Sequence, residues 1–183
     1  MNSMEMSNNL SEISTNELMK VADYKSNPNK DSAYNATEIL FKRWRCGVDT
    51  EFLVGLLESE KTYERLRGAY YLGELGGAVE GLLSSAVKLA DDPLSSCRRA
   101  FVGYMITSQA YDEAIARGLA KCLLDFHLPV RLAVIKWAVG TAGKRLEKFS
   151  QLVEVRAGAV EPSFRNPLSD EFWSESSRKR AIC

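Results

Sequence analysis

The stretch Leu66-Arg67-Gly68-Ala69 has two relatives downstream, Cys97-Arg98-Arg99-Ala100 and Val130-Arg131-Leu132-Ala133. Each is an apolar residue, an arginine, any residue and an alanine. A weaker copy, Ala33-Tyr34-Asn35-Ala36, lies upstream with tyrosine in place of the arginine. The alanines Ala36, Ala69, Ala100 and Ala133 fall about 33, 31 and 33 residues apart. Self-similarity at a period of roughly 20–50 residues marks folds built by stacking one supersecondary unit. This constrains the chain more than any single element does, because one such unit cannot bury its apolar face alone.

With each alanine as origin, the position three before holds Ala33, Leu66, Cys97 and Val130. The position one after holds Thr37, Tyr70, Phe101 and Val134; the position four after holds Leu40, Gly73, Tyr104 and Trp137. Residues at these spacings share a helix face, so the pattern predicts an apolar stripe on each of four helices. The alanine predicts a close approach by a neighbouring helix. Turn-like stretches precede each copy: SNPNKDS, ESEKTYE, DDPLSS and DFHLP. Pro93 and Pro129 suit a first helical turn, where no N–H is needed.

A second amphipathic run lies upstream of each turn, over residues 17–24, 51–58, 81–90 and 114–124. Thr50 is placed to cap the second of these. The predicted unit is helix, short turn, helix, repeated four times and closed by a ninth helix over 144–155. Strand-like alternation is absent, so the expected class is all-α.

These residues resemble a known family. YERLRGAYYLGELGG is similar to the second helix of a HEAT repeat, with its arginine, alanine and leucine-glycine ending. DDPLSSCRRAF and LLDFHLPVRLAVIKWAVG resemble the same helix with its preceding turn. The resemblance covers residues 14–155 and is closest to the short bacterial HEAT-like kind. The tryptophan and proline positions of tetratricopeptide repeats are not filled. The resemblance implies a right-handed α-solenoid of about four helical hairpins, whose second helices line a concave face. It also implies that each arginine bonds an acidic residue in the turn before it, pairing Asp92 with Arg98 and Asp125 with Arg131. Residues 1–13 read as a polar N-terminal segment. Residues 156–183, with Pro162, Pro167, Phe164, Phe172 and Trp173, read as an irregular tail or cap.

Composition narrows the chemistry. Twenty-four basic residues balance 24 acidic ones, which disfavours a strongly basic nucleic-acid binder. No apolar run reaches the roughly 18 residues of a membrane helix. The N-terminus lacks a basic start followed by an apolar core, so the expected location is the cytoplasm. Cys46, Cys97, Cys122 and Cys183 form no CxxC pair, and the single histidine, His127, lies in a turn with no nucleophile motif beside it. No catalytic residue, metal site or cofactor is therefore assigned.

The expected activity is non-enzymatic protein binding on the concave face. The candidate residues are Tyr34, Glu38, Arg67, Tyr71, Glu74, Arg98, Arg99, Met105, Arg131 and Lys136. Aromatic residues, Met and Arg are enriched at protein interfaces. A solitary stack of this size suits an immunity or inhibitor protein that neutralises a cognate partner such as a toxin domain. Two alternatives stand beside it. One is nucleic-acid binding through Lys42, Arg43, Trp44 and Arg45 with Arg98 and Arg99. The other is an adaptor or chromophore-lyase role.

Overall fold

The computed structural model describes residues 12–79, 81–141, 143, 145–147 and 149–151, and contains no strand among them. The helices are α1 (Thr15–Val21), α2 (Lys30–Arg45), α3 (Thr50–Leu57) and α4 (Thr62–Leu75), then α5 (Leu83–Lys88), α6 (Ser95–Thr107), α7 (Glu113–Leu123) and α8 (Leu128–Gly140). Short 3-10 turns, Gly76–Ala78 and Leu89–Asp91, follow α4 and α5. Residues 145–147 and 149–151 are also helical and fall within the expected ninth helix. The rest of that helix, most of the polar segment 1–13 and the tail 156–183 lie outside the described residues.

Side-chain caps open three of the eight helices. Ser14 opens α1 with a reciprocal cap: its hydroxyl accepts from the Glu17 N–H, and the Glu17 carboxylate accepts from the Ser14 N–H, each at 3.3 Å. Asn29 opens α2 by accepting from the Ser32 N–H at 3.0 Å. Asp112 opens α7 through the Ile115 N–H at 2.8 Å. Pro129 lies in the first turn of α8, as its missing N–H allows. Pro93 does not play this role, because α6 starts two residues later at Ser95. Thr50 is not a cap either: it is the first residue of α3, and Asp49 holds the cap position at φ 55°. The Asp49 carboxylate accepts instead from the Thr15 hydroxyl at 2.5 Å, which ties α3 back to α1.

One turn hydrogen-bond pattern recurs along the chain, in a register that differs from the alanine alignment. The residues that cap α2, α4, α6 and α8 are Asn29, Lys61, Leu94 and His127, spaced by 32, 33 and 33 residues. The N–H of each donates to a side chain two residues earlier: Asn27 at 2.9 Å, Ser59 at 3.2 Å, Asp92 at 2.8 Å and Asp125 at 2.8 Å. Asn, Asp and Ser form such turns because a short side chain can bond its own backbone. In this register Ala36 corresponds to Gly68, Phe101 and Val134, all buried. Ala69 therefore stands one position late, and Ala100 and Ala133 one position early.

The arginine that recurs in register is Arg65, Arg98 and Arg131, not Arg67. The Nη1 of Arg65 donates to the carbonyls of Ser59 (2.9 Å) and Glu60 (2.8 Å). The Nη1 of Arg98 does the same to Asp92 (2.7 Å) and Pro93 (2.9 Å), and that of Arg131 to Asp125 (2.7 Å) and Phe126 (3.1 Å). The carboxylate partner comes from the following turn rather than the preceding one. Arg65 Nε meets Asp92 at 2.8 Å, and Arg98 Nε meets Asp125 at 2.5 Å. The expected Asp92–Arg98 and Asp125–Arg131 side-chain pairs are thus replaced by backbone contacts. Arg65 and Arg98 thereby fasten their own turns to the next one; among the described residues Arg131 holds only its own turn.

Packing follows chain order. α1 packs on α2, α3 on α4, and α7 on α8, while α4 packs on α6 and α6 on α8. The fully buried side chains include Leu18, Leu40, Trp44, Leu53, Leu72, Phe101, Met105, Ile115, Trp137 and Phe149. Burying each large apolar side chain contributes roughly 1.5–3 kcal/mol. Gly68 marks the closest approach of α3 and α4: a Cβ there would stand 3.0 Å from both Leu56 Cβ and Leu57 N. Phe149 packs edge-on against Trp137, with centroids 5.1 Å apart, and covers the far side of α8.

Candidate functional groove

The corrected register decides which face of α2, α4, α6 and α8 is left open. Two rows of residues point away from the core. One is Tyr34, Leu66, Arg99 and Leu132; the other is Glu38, Tyr70, Gly103 and Lys136. On α4, α6 and α8 these rows line a groove of about 640 Å³, together with Glu74, Ile106 and the small floor residues Ala69, Ala100 and Ala133. Tyr34, Tyr70 and Leu132 are 58%, 56% and 52% exposed. A smaller pocket of about 370 Å³ lies between α7 and the Leu89–Asp91 turn, where Lys121 is paired with Asp91.

Of the ten candidate residues, Tyr34, Glu38, Glu74, Arg99 and Lys136 are exposed on this face. Tyr71, Arg98 and Met105 are buried and cannot meet a partner. Tyr71 belongs to an aromatic cluster with Phe41, at 5.7 Å and nearly perpendicular, and with Trp44 at 5.3 Å. Arg67 is half-buried; it donates to the Tyr71 hydroxyl at 2.8 Å and to the Met19 carbonyl, which packs it between α4 and α1. Arg131 is half-buried and holds turn carbonyls. The alanine register misplaced these residues, since a two-residue offset between α4 and α6 turns a helix by about 200°. The same error hid Leu66, Tyr70 and Gly73, read as core, which line the groove. The arginines Arg65, Arg98 and Arg131, spaced by 33, were the signal that could have found them.

Electrostatics separates the interior arginines from the exposed ones. Both oxygens of Asp125 face Arg98, with Nε–Oδ2 at 2.5 Å and Nη2–Oδ1 at 3.0 Å. This hydrogen bonding holds the Asp125 carboxyl below its ordinary value against the opposing effect of burial. His127 Nδ1 lies 3.1 Å from Arg98 Nη2, so the only histidine closes this cluster. In the groove, burial and then the neighbouring Glu74 push the Tyr70 phenol up. Burial pushes the Cys97 thiol to about 11 and the Cys122 thiol to about 12, so both stay protonated at neutral pH. Among the described residues no cluster of three His, Cys, Asp or Glu side chains is placed to hold a metal ion. Among them, too, no helix is long and apolar enough to cross a membrane.

The basic segment Lys42–Arg45 divides between core and surface. Trp44 is fully buried, and its indole N–H donates to the Asp49 carbonyl at 3.3 Å. Arg43 reaches back to α1, donating to the Thr15 hydroxyl at 2.8 Å and the Ile13 carbonyl at 2.6 Å. Compared with known family models, curated proteins and solved structures, the chain has no match in any of the three.

Proposed function

We propose that the chain is a HEAT-like α-solenoid that acts by binding another protein along the groove of α4, α6 and α8. The observation that carries this reading is the groove itself. Large side chains, Leu66, Tyr70, Ile106 and Leu132, stand exposed around a floor of small residues. Leaving such surface in water forgoes burial worth roughly 25 cal/mol per Å², and contiguous apolar patches on soluble proteins mark interaction sites. The turn contacts shared by Arg65, Arg98 and Arg131 support the repeat reading, because the same side chain holds the same two carbonyls in each copy. The role we propose for this groove is neutralisation of a cognate partner such as a toxin domain.

Of the six residues of the nucleic-acid alternative, three are engaged elsewhere, while Lys42, Arg45 and Arg99 are exposed. Trp44 and Arg43 are engaged in packing, and Arg98 is committed to Asp125. The test is co-purification of the tagged chain from its native host, alongside the variants Leu132→Asp and Gly103→Trp. One stoichiometric protein recovered with the wild type and lost with both variants supports the reading. Recovery of nucleic acid, or of a protein held equally by all three chains, overturns it.

A further inference from the structure

The charged side chains of the groove are sorted by position. In the groove Glu74 stands on α4 and the cations Arg99 and Lys136 on α6 and α8, while Glu38 stands beside it on α2, near enough to Tyr70 to help push its phenol up. None of the four has a hydrogen-bond or ion-pair partner among the described residues. Elsewhere on the surface Lys88 pairs with Glu58, Arg117 with Glu113 and Lys121 with Asp91. Between the two halves, Gly103 leaves the floor open: no heavy atom lies within 4 Å of where a Cβ would stand. The net charge of the chain is zero, so this separation is not an overall bias.

We infer that the groove takes a partner segment of matching polarity: a basic side chain over α2 and α4, apolar side chains over Gly103 and Leu132, and a carboxylate near Arg99 and Lys136. This rests on the protein-binding reading above and specifies the partner's chemistry. The exposed rings of Tyr34 and Tyr70 beside two carboxylates suit a lysine or arginine, which gains from both the ring face and the charge. The Arg99 guanidinium offers a carboxylate a two-pronged contact. A segment charged with one sign throughout meets a repulsive half wherever it lies, which builds specificity as well as affinity. Packed helices stand about 8–10 Å apart, so four of them span roughly 25–30 Å, the reach of about eight extended residues.

The probe is a set of nine-residue fluorescent peptides with blocked termini and an apolar centre. Their ends are oppositely charged in both orders, both basic, both acidic, or uncharged. Anisotropy should show one mixed order binding about tenfold tighter than either single-sign class, the usual scale of a steered charge pair. Reversing Arg99 and Lys136 to Glu should move the preference to the basic peptides. Reversing Glu38 and Glu74 to Lys should move it to the acidic ones. All four residues are exposed, and circular dichroism checks that each variant folds. Affinity blind to peptide charge, preferences unmoved by the reversals, or no binding by the mixed peptides overturns the inference. Partner capture by Gly103→Trp then separates the two claims: loss of the partner keeps the groove reading and discards only the polarity, whereas unchanged capture discards both.

Discussion

Arg98 is the interior charge on which the packing of successive turns depends most, and its removal should be the costliest single change to a polar residue here. It is 7% exposed and makes both contacts to Asp125 as well as two to the Asp92 and Pro93 carbonyls. Arg98→Ala leaves a buried carboxylate without its cation, a loss of about 3–5 kcal/mol. Arg131→Ala removes only two carbonyl contacts from a half-buried side chain, worth about 1 kcal/mol. Urea unfolding followed by circular dichroism should separate the two by at least about 2 kcal/mol with an unchanged denaturant slope. Adding Asp125→Asn to Arg98→Met should recover about 1–2 kcal/mol, since the stranded charge is gone while the turn acceptor to His127 remains. The pH dependence has a definite sign. Asp125 titrates below its ordinary value of 3.8 when folded, so its contribution is complete above that value and is lost as pH falls through the folded one. The acid limb of stability should therefore flatten in the Arg98 variants. A cost below about 1.5 kcal/mol for Arg98→Ala, or an equal cost for Arg131→Ala, would refute the turn-lock argument, since a buried pair broken on one side should cost several times an exposed one.

Gly68→Ala should destabilise by about 1–3 kcal/mol, because its Cβ meets Leu56 and Leu57 at 3.0 Å, whereas Gly103→Ala, with open space around it, should stabilise by about 0.5–1 kcal/mol; equal effects in thermal melts would contradict the placement of these faces. With a disulfide reagent at pH 8 and peptide mapping, Cys46 should label in the native state, while Cys97 and Cys122 should label only on unfolding. The Tyr63 phenol, pushed up to about 12 by burial and by its bond to Asp23, should give a late step in an ultraviolet titration that Tyr63→Phe removes.

The helical class was legible in the sequence because helix periodicity survives small errors of alignment. The capping residues were legible in part: Pro129 fell where its chemistry predicts, but Thr50 and Pro93 did not. Asp49 could hold the cap backbone position while giving its carboxylate to Thr15. No local pattern announces a bond spanning 34 residues. The register slipped twice, by one residue between α2 and α4 and by two between α4 and α6. Leu66-Arg67-Gly68-Ala69 matches its relatives as a string, yet the arginine that does the structural work stands two residues earlier at Arg65. Two arginines two apart on a helix point to nearly opposite sides, so the better string match selected the wrong one.

That choice shows why arginine content alone is a poor guide to a binding face in a repeat of this kind. The turn lock consumes Arg65 and Arg98 against Asp92 and Asp125, with buried geometry and backbone contacts that leave nothing for a partner. Arg99, the neighbour of Arg98, points the other way and lines the groove. The adjacent residues thus divide two tasks: one sets the spacing of the hairpins, and the next projects into the surface that this spacing creates. The lock also bears on the proposed binding. Because it fixes α4, α6 and α8 relative to one another, the rows from Leu66 to Leu132 and from Tyr70 to Lys136 need no ordering when a partner arrives, which spares part of the entropy that binding otherwise costs. An Arg98 variant that still folds should therefore bind more weakly than its untouched groove residues imply.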